Sequence, residues 1–308
     1  MHIAVVGAGA IGSWLAGALR LAGHDVQILA RDAQLAALRR GPLVLREPEG
    51  TREVTLAATD NPAELAGAEF ALVAVKSYDL ASVAPTLALL AKSGSTVVPL
   101  LNGVDIVERL EALGIRRAAQ LAGSVTVSVA RTAPGAVERR SNFQRVVVGE
   151  PDGGDSARAT RLAAAVAAAG IEARASTEVA RDLWLKLAFV DPIAAACGLS
   201  RTPIGPVRET AGGVALLERA VREVLAVGRA RGVRLTDADA RATLDAVLET
   251  PPQMKPSLLL DLERGGPTEV DILCGAVAKL GAAAKVPTPV HDVAATFLGM
   301  LGTGSPPR

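Results

Sequence analysis

Residues 2–12, His-Ile-Ala-Val-Val-Gly-Ala-Gly-Ala-Ile-Gly, limit the fold more than any other stretch of the chain. A short apolar strand runs straight into Gly7-x-Gly9-x-x-Gly12, and a helical pattern from Ser13 to Leu21 follows. Gly7 lets the chain turn sharply out of the strand. Gly9 removes the side chain that would hold backbone away from a pyrophosphate, and Gly12 lets the helix pack close to the sheet. The helix N-terminus then offers unpaired N–H groups and a partial positive charge to phosphate. Three glycines at this spacing arise by chance in an Ala- and Gly-rich chain, but a second strand, Asp25 to Ala30, falls where a βαβ unit needs it. Gly7, Ala8, Gly9, Ala10, Ile11 and Gly12 are therefore candidate binding residues for a dinucleotide cofactor.

The second strand ends in Leu29-Ala30-Arg31-Asp32, about where an enzyme that prefers NAD places a carboxylate against the ribose 2′-hydroxyl. Arg31 comes first here. A guanidinium at this point can clasp the 2′-phosphate of NADP through charged hydrogen bonds, whereas a carboxylate would repel it. The competing reading is a solvated arginine at a strand end, with Asp32 taking the ribose. The sequence favours the phosphate, and hence NADPH/NADP as the cofactor.

At 308 residues the chain divides naturally into two domains. Its 33 Lys and Arg balance 32 Asp and Glu, so no long-range field recruits nucleic acid or an anionic membrane, and a small-molecule substrate is expected. Cys197 and Cys274 lack any C-x-x-C spacing and read as small buried residues. His2, His24 and His291 are scattered, so no zinc ligand cluster can be drawn and no metal is expected. The apolar N-terminus lacks a basic leader, and no run of eighteen apolar residues appears. The thiols and the cofactor both suit a reducing cytoplasm.

Along the chain, Leu43 to Arg46 and Glu53 to Leu56 read as short strands around the turn Glu47-Pro48-Glu49-Gly50. Phe70 to Val75 and Ser95 to Leu101 are apolar runs of the kind found in buried parallel strands, with a helical segment, Leu80 to Leu90, between them. Lys76 and Asn102 close these two strands, on the edge where a doubly wound sheet gathers its ligands. Each is equally a plain strand terminus, because Asn-Gly is a common turn and Lys a common solvated residue.

Ala118 to Val129, Ala136 to Arg139 and Arg145 to Gly149 read as further strands, an Ala-rich helix runs to about Ala169, and Ile171 to Arg174 adds one last strand. From Ser176 the pattern turns helical: Val179 to Ala196, Gly213 to Gly232, Asp237 to Leu248 and Glu269 to Lys285. The predicted class is α/β, an N-terminal Rossmann-type doubly wound sheet over residues 1–175 that binds NADP, followed by an all-helical C-terminal domain over 176–308. The cleft between sheet and helices is the expected substrate site.

Hydride transfer to a ketone builds negative charge on oxygen, so a proton donor is required. Lys186 has the surroundings for it, as the one charge in Leu183-Trp-Leu-Lys-Leu-Ala-Phe189. Burial there lowers an ammonium pKa towards neutrality. A snorkelling lysine is the ordinary alternative. Tyr78, the only tyrosine, lies near Lys76 and is a further candidate.

Taken in order, Gly7-x-Gly9-x-x-Gly12, Val75-Lys76, Asn102-Gly103, Trp184-x-Lys186-Leu187 and Ser257-x3-Asp261-x7-Glu269-x-Asp271 give the chain a sequence that resembles the ketopantoate reductase (2-dehydropantoate 2-reductase) family over nearly its whole length. The resemblance implies NADPH-dependent reduction of a 2-oxo acid to a 2-hydroxy acid, foremost ketopantoate to pantoate in pantothenate biosynthesis. It implies Lys186 as general acid with Glu269 in the catalytic group, and Ser257, Asp261, Asn102 and Lys76 around the substrate. It also implies that Lys76, Asn102 and Glu269 reach the cofactor. A homodimer is left open.

Spacing bears on these residues separately. Ser257 and Asp261 are four apart and share a helix face, and Glu269 follows the break Gly265-Gly266-Pro267. Thr268-x-x-Asp271 also reads as a capping box, and Glu269 in a first helical turn is favoured by the helix dipole alone. In one respect the chain departs from the family, which carries Asn four and eight residues after the lysine. Here those positions are Val190 and Ala194. Asp191 lies about 140° around the helix from Lys186, unless Pro192 turns it inward. The departure keeps open a less polar carbonyl substrate, and a non-catalytic NADP-binding regulatory protein is the alternative of a different class.

Overall fold

The computed structural model describes residues 1–301 and divides into two compact units. The first comprises residues 1–101 and 106–179, and the second residues 102–105 together with the chain from 180 onward. Against the expected division at 175/176, the change falls in the first turn of a long helix, and Asn102 to Asp105 group with the helical unit. Val104 packs on that unit's apolar core, which is why this short stretch goes with it.

In the first unit the chain runs β1 (His2–Val6), α1 (Ala10–Leu21), β2 (Asp25–Leu29), α2 (Asp32–Arg40), β3 (Leu43–Glu47), β4 (Gly50–Val54), β5 (Ala57–Thr59), β6 (Phe70–Val73), α3 (Leu80–Lys92), β7 (Thr96–Pro99), α4 (Ile106–Ala112), β8 (Ala122–Ala133), β9 (Ala136–Gly149), α5 (Ala157–Ala168) and β10 (Glu172–Ala175). One sheet is wholly parallel, in the order β5-β2-β1-β6-β7. Its central strands are apolar on both faces, with Ile3, Val5, Phe70 and Leu72 sealed from solvent. From β1 the chain steps outward to β2, then returns to the other side of β1 as β6. Neighbouring connections therefore leave in opposite directions, which opens a crevice at the carboxyl ends of β1 and β6.

The later strands do not continue that sheet as expected. They form a second, mixed sheet in which β9 pairs with β8 along one edge, and with β3 and then β10 along the other. Ala136–Arg139 and Arg145–Gly149 are one strand, not two. The residues between them include no Gly or Pro to turn the chain, and the register shift opposite is bridged by Ser141, whose hydroxyl accepts from the Ser128 N–H at 2.9 Å. Likewise the second arm of the β3–β4 hairpin starts at Gly50 and stops at Val54, and Ala57–Thr59 leaves to join the parallel sheet beside β2. Helix α1 packs against strands of both sheets and buries Trp14, Leu15 and Leu19.

The second unit consists of α6 (Val179–Ser200), α7 (Ile204–Glu209), α8 (Gly213–Ala230), α9 (Asp237–Glu249), α10 (Ser257–Glu263), α11 (Cys274–Ala284) and α12 (Pro289–Leu301). By length and composition α6 could cross a membrane, an exception to the expectation of no such segment. Most of it is buried within the protein, where it contributes to two apolar clusters, so it is a core helix. Trp184 lies against α8 at Gly228, where an added Cβ would sit 2.9 Å from the indole. That packing fixes the rotation of α6. Lys186, two residues on, lies about 200° around the helix from the indole.

Candidate active site

The loop after β1 has the geometry its glycines predict. Gly7 has φ +111°, and a Cβ there would fall 2.8 Å from Val75 Cγ1, so this loop lies directly on the segment that follows β6. A Cβ on Gly12 would sit 1.9 Å from the Gly7 carbonyl oxygen, whereas the nearest atom to a Cβ on Gly9 is 3.9 Å away. The cradle is closed behind Gly7 and Gly12 and open above Gly9. Helix α1 begins at Ala10 with no side chain capping its N–H groups. The residues present fit a dinucleotide pyrophosphate.

Arg31 follows β2 at the N-cap of α2, largely exposed, with Asp32 beside it at φ +52°. Lys76 occupies the N-cap position of a short 3-10 turn, Ser77–Asp79, that leads from β6 into α3, and it is partly buried. Loop, arginine and lysine all belong to the first unit, at the carboxyl ends of its parallel strands.

In the second unit Lys186 retains some accessible surface, yet burial pushes its pKa down to about 8, and the carboxylate of Glu269 acts in the opposite direction. The structure thus brings Lys186 and Glu269 into one electrostatic environment. Glu269 itself is buried, 6 % exposed. Its position differs from the expectation of a helix start. Glu269 precedes a 3-10 turn, Val270–Ile272, without a side-chain cap, and α11 begins only at Cys274 after Leu273 departs from helical geometry at φ −104°, ψ −114°. The capping-box explanation of Glu269 therefore fails. A carboxylate buried here is not accounted for by the dipole of a following α-helix.

Ser257 opens α10 and is exposed, and Asp261 lies one turn later with its side chain mostly covered, 3.5 Å from Arg264. Asn102 is partly buried on the short stretch that groups with the helices. Val190 and Ala194, one and two turns beyond Lys186, are half-buried and buried respectively, so this side of α6 is apolar.

Sequence reasoning missed one polar cluster. Asp191 and His291 are fully buried, with His291 Nε2 3.1 Å from Asp191 Oδ2 and Nδ1 2.6 Å from Glu223 Oε2. The Cys274 thiol donates to Asp191 Oδ1 at 3.1 Å, and Glu223 accepts the backbone N–H groups of Val290 and His291 at the start of α12. Helix α6 continues through Pro192, and Asp191 is engaged with α11 and α12. The thiol is a hydrogen-bond donor as well as a small buried group.

Two family models match the chain: "Ketopantoate reductase PanE/ApbA" over residues 3–153 and "Ketopantoate reductase PanE/ApbA C terminal" over residues 178–301. A 2-dehydropantoate 2-reductase from Mesorhizobium japonicum is 31% identical over 98% of both chains. Among solved structures, a PanE/ApbA family ketopantoate reductase from Ralstonia eutropha JMP134 matches with a TM-score of 0.87 at 29% identity, covering 98% of both chains. D-mandelate dehydrogenase, in a ternary structure with NADH and anilino(oxo)acetate, matches with a TM-score of 0.88 at 20% identity, covering 98% of both chains, and shows the shared fold.

Proposed function

The chain belongs to the ketopantoate reductase family, and on that premise we propose that it reduces ketopantoate to pantoate with NADPH, in the cytoplasm and as a step of pantothenate biosynthesis. The observation that carries this reading is Lys186, whose ammonium is brought to a pKa of about 8 by burial, opposed by Glu269. An acid of that strength is largely protonated at neutral pH and gives up its proton more readily than a solvated lysine.

When bound, the reduced dinucleotide supplies a hydride. The Lys186 ammonium donates a hydrogen bond to the substrate's carbonyl oxygen and then transfers its proton there as the oxygen gains charge, so the ketone becomes an alcohol. Glu269 keeps the lysine charged until that moment. Ser257 and Asp261, on one face of α10, hold polar groups of the substrate, with Asn102 and Lys76 assisting at substrate and cofactor. In the first unit the open space above Gly9 takes the pyrophosphate, and Arg31 takes the 2′-phosphate.

The glycines separate folding from binding. Gly12→Ala, with its Cβ pressed on a carbonyl oxygen, is expected to cost about 1–3 kcal/mol of stability, read as a lower urea midpoint. Gly9→Ala has room to fold and is expected to leave that midpoint in place while weakening NADPH binding about tenfold. Equal loss of stability in both variants would contradict the cradle.

The function itself is tested by mixing purified protein, NADPH and ketopantoate and following loss of the reduced cofactor's near-ultraviolet absorbance; rapid loss is expected. Val190 and Ala194 favour a second reading, a less polar 2-oxo acid, because neither side chain offers an amide to a substrate hydroxyl. If that reading holds, apolar branched or aromatic 2-oxo acids outrun ketopantoate, and Val190→Asn with Ala194→Asn raises the ketopantoate rate. Faster turnover of ketopantoate by the unaltered chain decides for the first.

A further inference from the structure

We infer that Asp79 is a cofactor-specificity residue, a carboxylate that restrains the chain's preference for NADPH over NADH by competing with the 2′-phosphate for Arg31. The inference rests on the reading of Arg31 as the phosphate clasp. The guanidinium is largely exposed, yet it has two carboxylate neighbours. It reaches from the end of β2 to the turn after β6, where its Nη2 lies 3.5 Å from Asp79 Oδ1, while its Nε lies 3.8 Å from Asp32 Oδ2. The strands β2 and β6 flank β1, so this contact joins the two segments on either side of the strand that ends in the glycine loop.

Asp79 is placed for this by its backbone. It occupies the N-cap position of α3, where an aspartate normally turns back to accept a helix N–H. The 3-10 turn Ser77–Asp79 runs directly into α3, however, and leaves Asp79 in helical geometry, φ −90°, ψ −8°, with no side-chain cap bond. Its N–H is held by the Lys76 carbonyl at 3.0 Å, and its carbonyl accepts from the Ser82 hydroxyl at 2.7 Å. With the backbone pinned at both groups, the partly buried carboxylate is directed at Arg31.

Asp32, Asp79 and Arg31 together carry a formal charge of −1 before any ligand arrives. A 2′-phosphate adds close to two further negative charges at neutral pH. It gains Arg31 but must share it with Asp79, and the long, exposed contacts show that the arginine is loosely held and can be drawn away. A 2′-hydroxyl carries no charge, and a nearby carboxylate can accept its hydrogen bond. Asp79 therefore penalises NADPH and tolerates NADH. Asp32, on the exposed flank of the same arginine, adds a smaller and better screened effect.

The test is direct binding of NADPH and NADH by titration calorimetry at low ionic strength, to the unaltered chain and to Asp79→Asn, Asp32→Asn and Arg31→Ala. Asp79→Asn is expected to tighten NADPH about tenfold and to change NADH much less, with Asp32→Asn shifting the ratio in the same direction by a smaller factor. Arg31→Ala is expected to weaken NADPH about tenfold or more. Should Arg31→Ala move the ratio while Asp79→Asn leaves it unchanged or lowers it, the role of Asp79 is refuted and the arginine clasp stands. Should Arg31→Ala leave the ratio unchanged, the clasp falls and the inference falls with it. A urea midpoint for each variant confirms that the comparison is between folded proteins.

Discussion

Lys186→Ala is expected to lower kcat for 2-oxo acid reduction by two to four orders of magnitude, about the range removed with a positioned general acid. NADPH affinity, measured by fluorescence titration, is expected to change little, because the glycine loop and Arg31 belong to the other compact unit. The unaltered chain should also show a pH limb that the variant lacks. Burial lowers the Lys186 pKa to about 8 against the pull of Glu269, so the fraction of enzyme carrying the required proton falls as pH rises through 8. The reduction rate should follow it, about tenfold per pH unit once the amine is neutral. Glu269→Gln removes the charge that favours the ammonium, and the limb is then expected to move below pH 8. A rate in Lys186→Ala within a few-fold of the unaltered chain would remove the lysine from the chemistry.

The residues of this mechanism differ in how plainly the sequence announces them. Gly7, Gly9 and Gly12 act within a six-residue loop whose flanking strand and helix are equally local, so pattern alone gives both the geometry and its purpose. Lys186 is legible for a similar reason: a single charge among Leu183, Trp184, Leu185, Leu187 and Phe189 is a local anomaly. Periodicity misplaces Glu269. Val270, Leu273, Val277 and Leu280 keep an apolar helical rhythm across a break that the backbone makes at Leu273, and rhythm cannot show where hydrogen bonding starts. The long strand β9 reads as two in the sequence because four of the five residues from Arg140 to Gln144 are polar, although its backbone pairing continues across the bulge that Ser141 bridges. The partners of Asp191 were wholly out of reach. Glu223, Cys274 and His291 are 32, 83 and 100 positions further along, and no local rule connects them.

That buried cluster leads to the second large effect. His291→Ala is expected to cost about 3–5 kcal/mol of folding stability near neutral pH, the usual cost of removing one partner from a buried charged group. Burial alone would lower the His291 pKa, but the carboxylates of Asp191 and Glu223 outweigh it and raise the pKa to about 9. The unfolded imidazole titrates near 6.5. The folded state therefore holds the proton more tightly, and the resulting stabilisation is complete below about pH 6.5 and lost as pH rises through about 9, a change of about 3 kcal/mol. Lys186 acts in the opposite sense: its folded pKa lies below its unfolded value, so its penalty on folding is relieved as pH climbs above 8. Subtracting the urea profile of His291→Ala from that of the unaltered chain cancels the lysine and leaves the imidazole, and a difference that stays flat from pH 6 to 9 would show that the fold does not shift the titration of the ring. Loss of the cation falls mainly on Asp191, which among the described residues keeps the Cys274 thiol alone, while Glu223 retains the Val290 and His291 N–H groups at the start of α12. Asp191→Asn in the His291→Ala background is accordingly expected to restore part of the lost stability, whereas alone it destabilises, because the unmodified imidazolium then loses one of its two carboxylates.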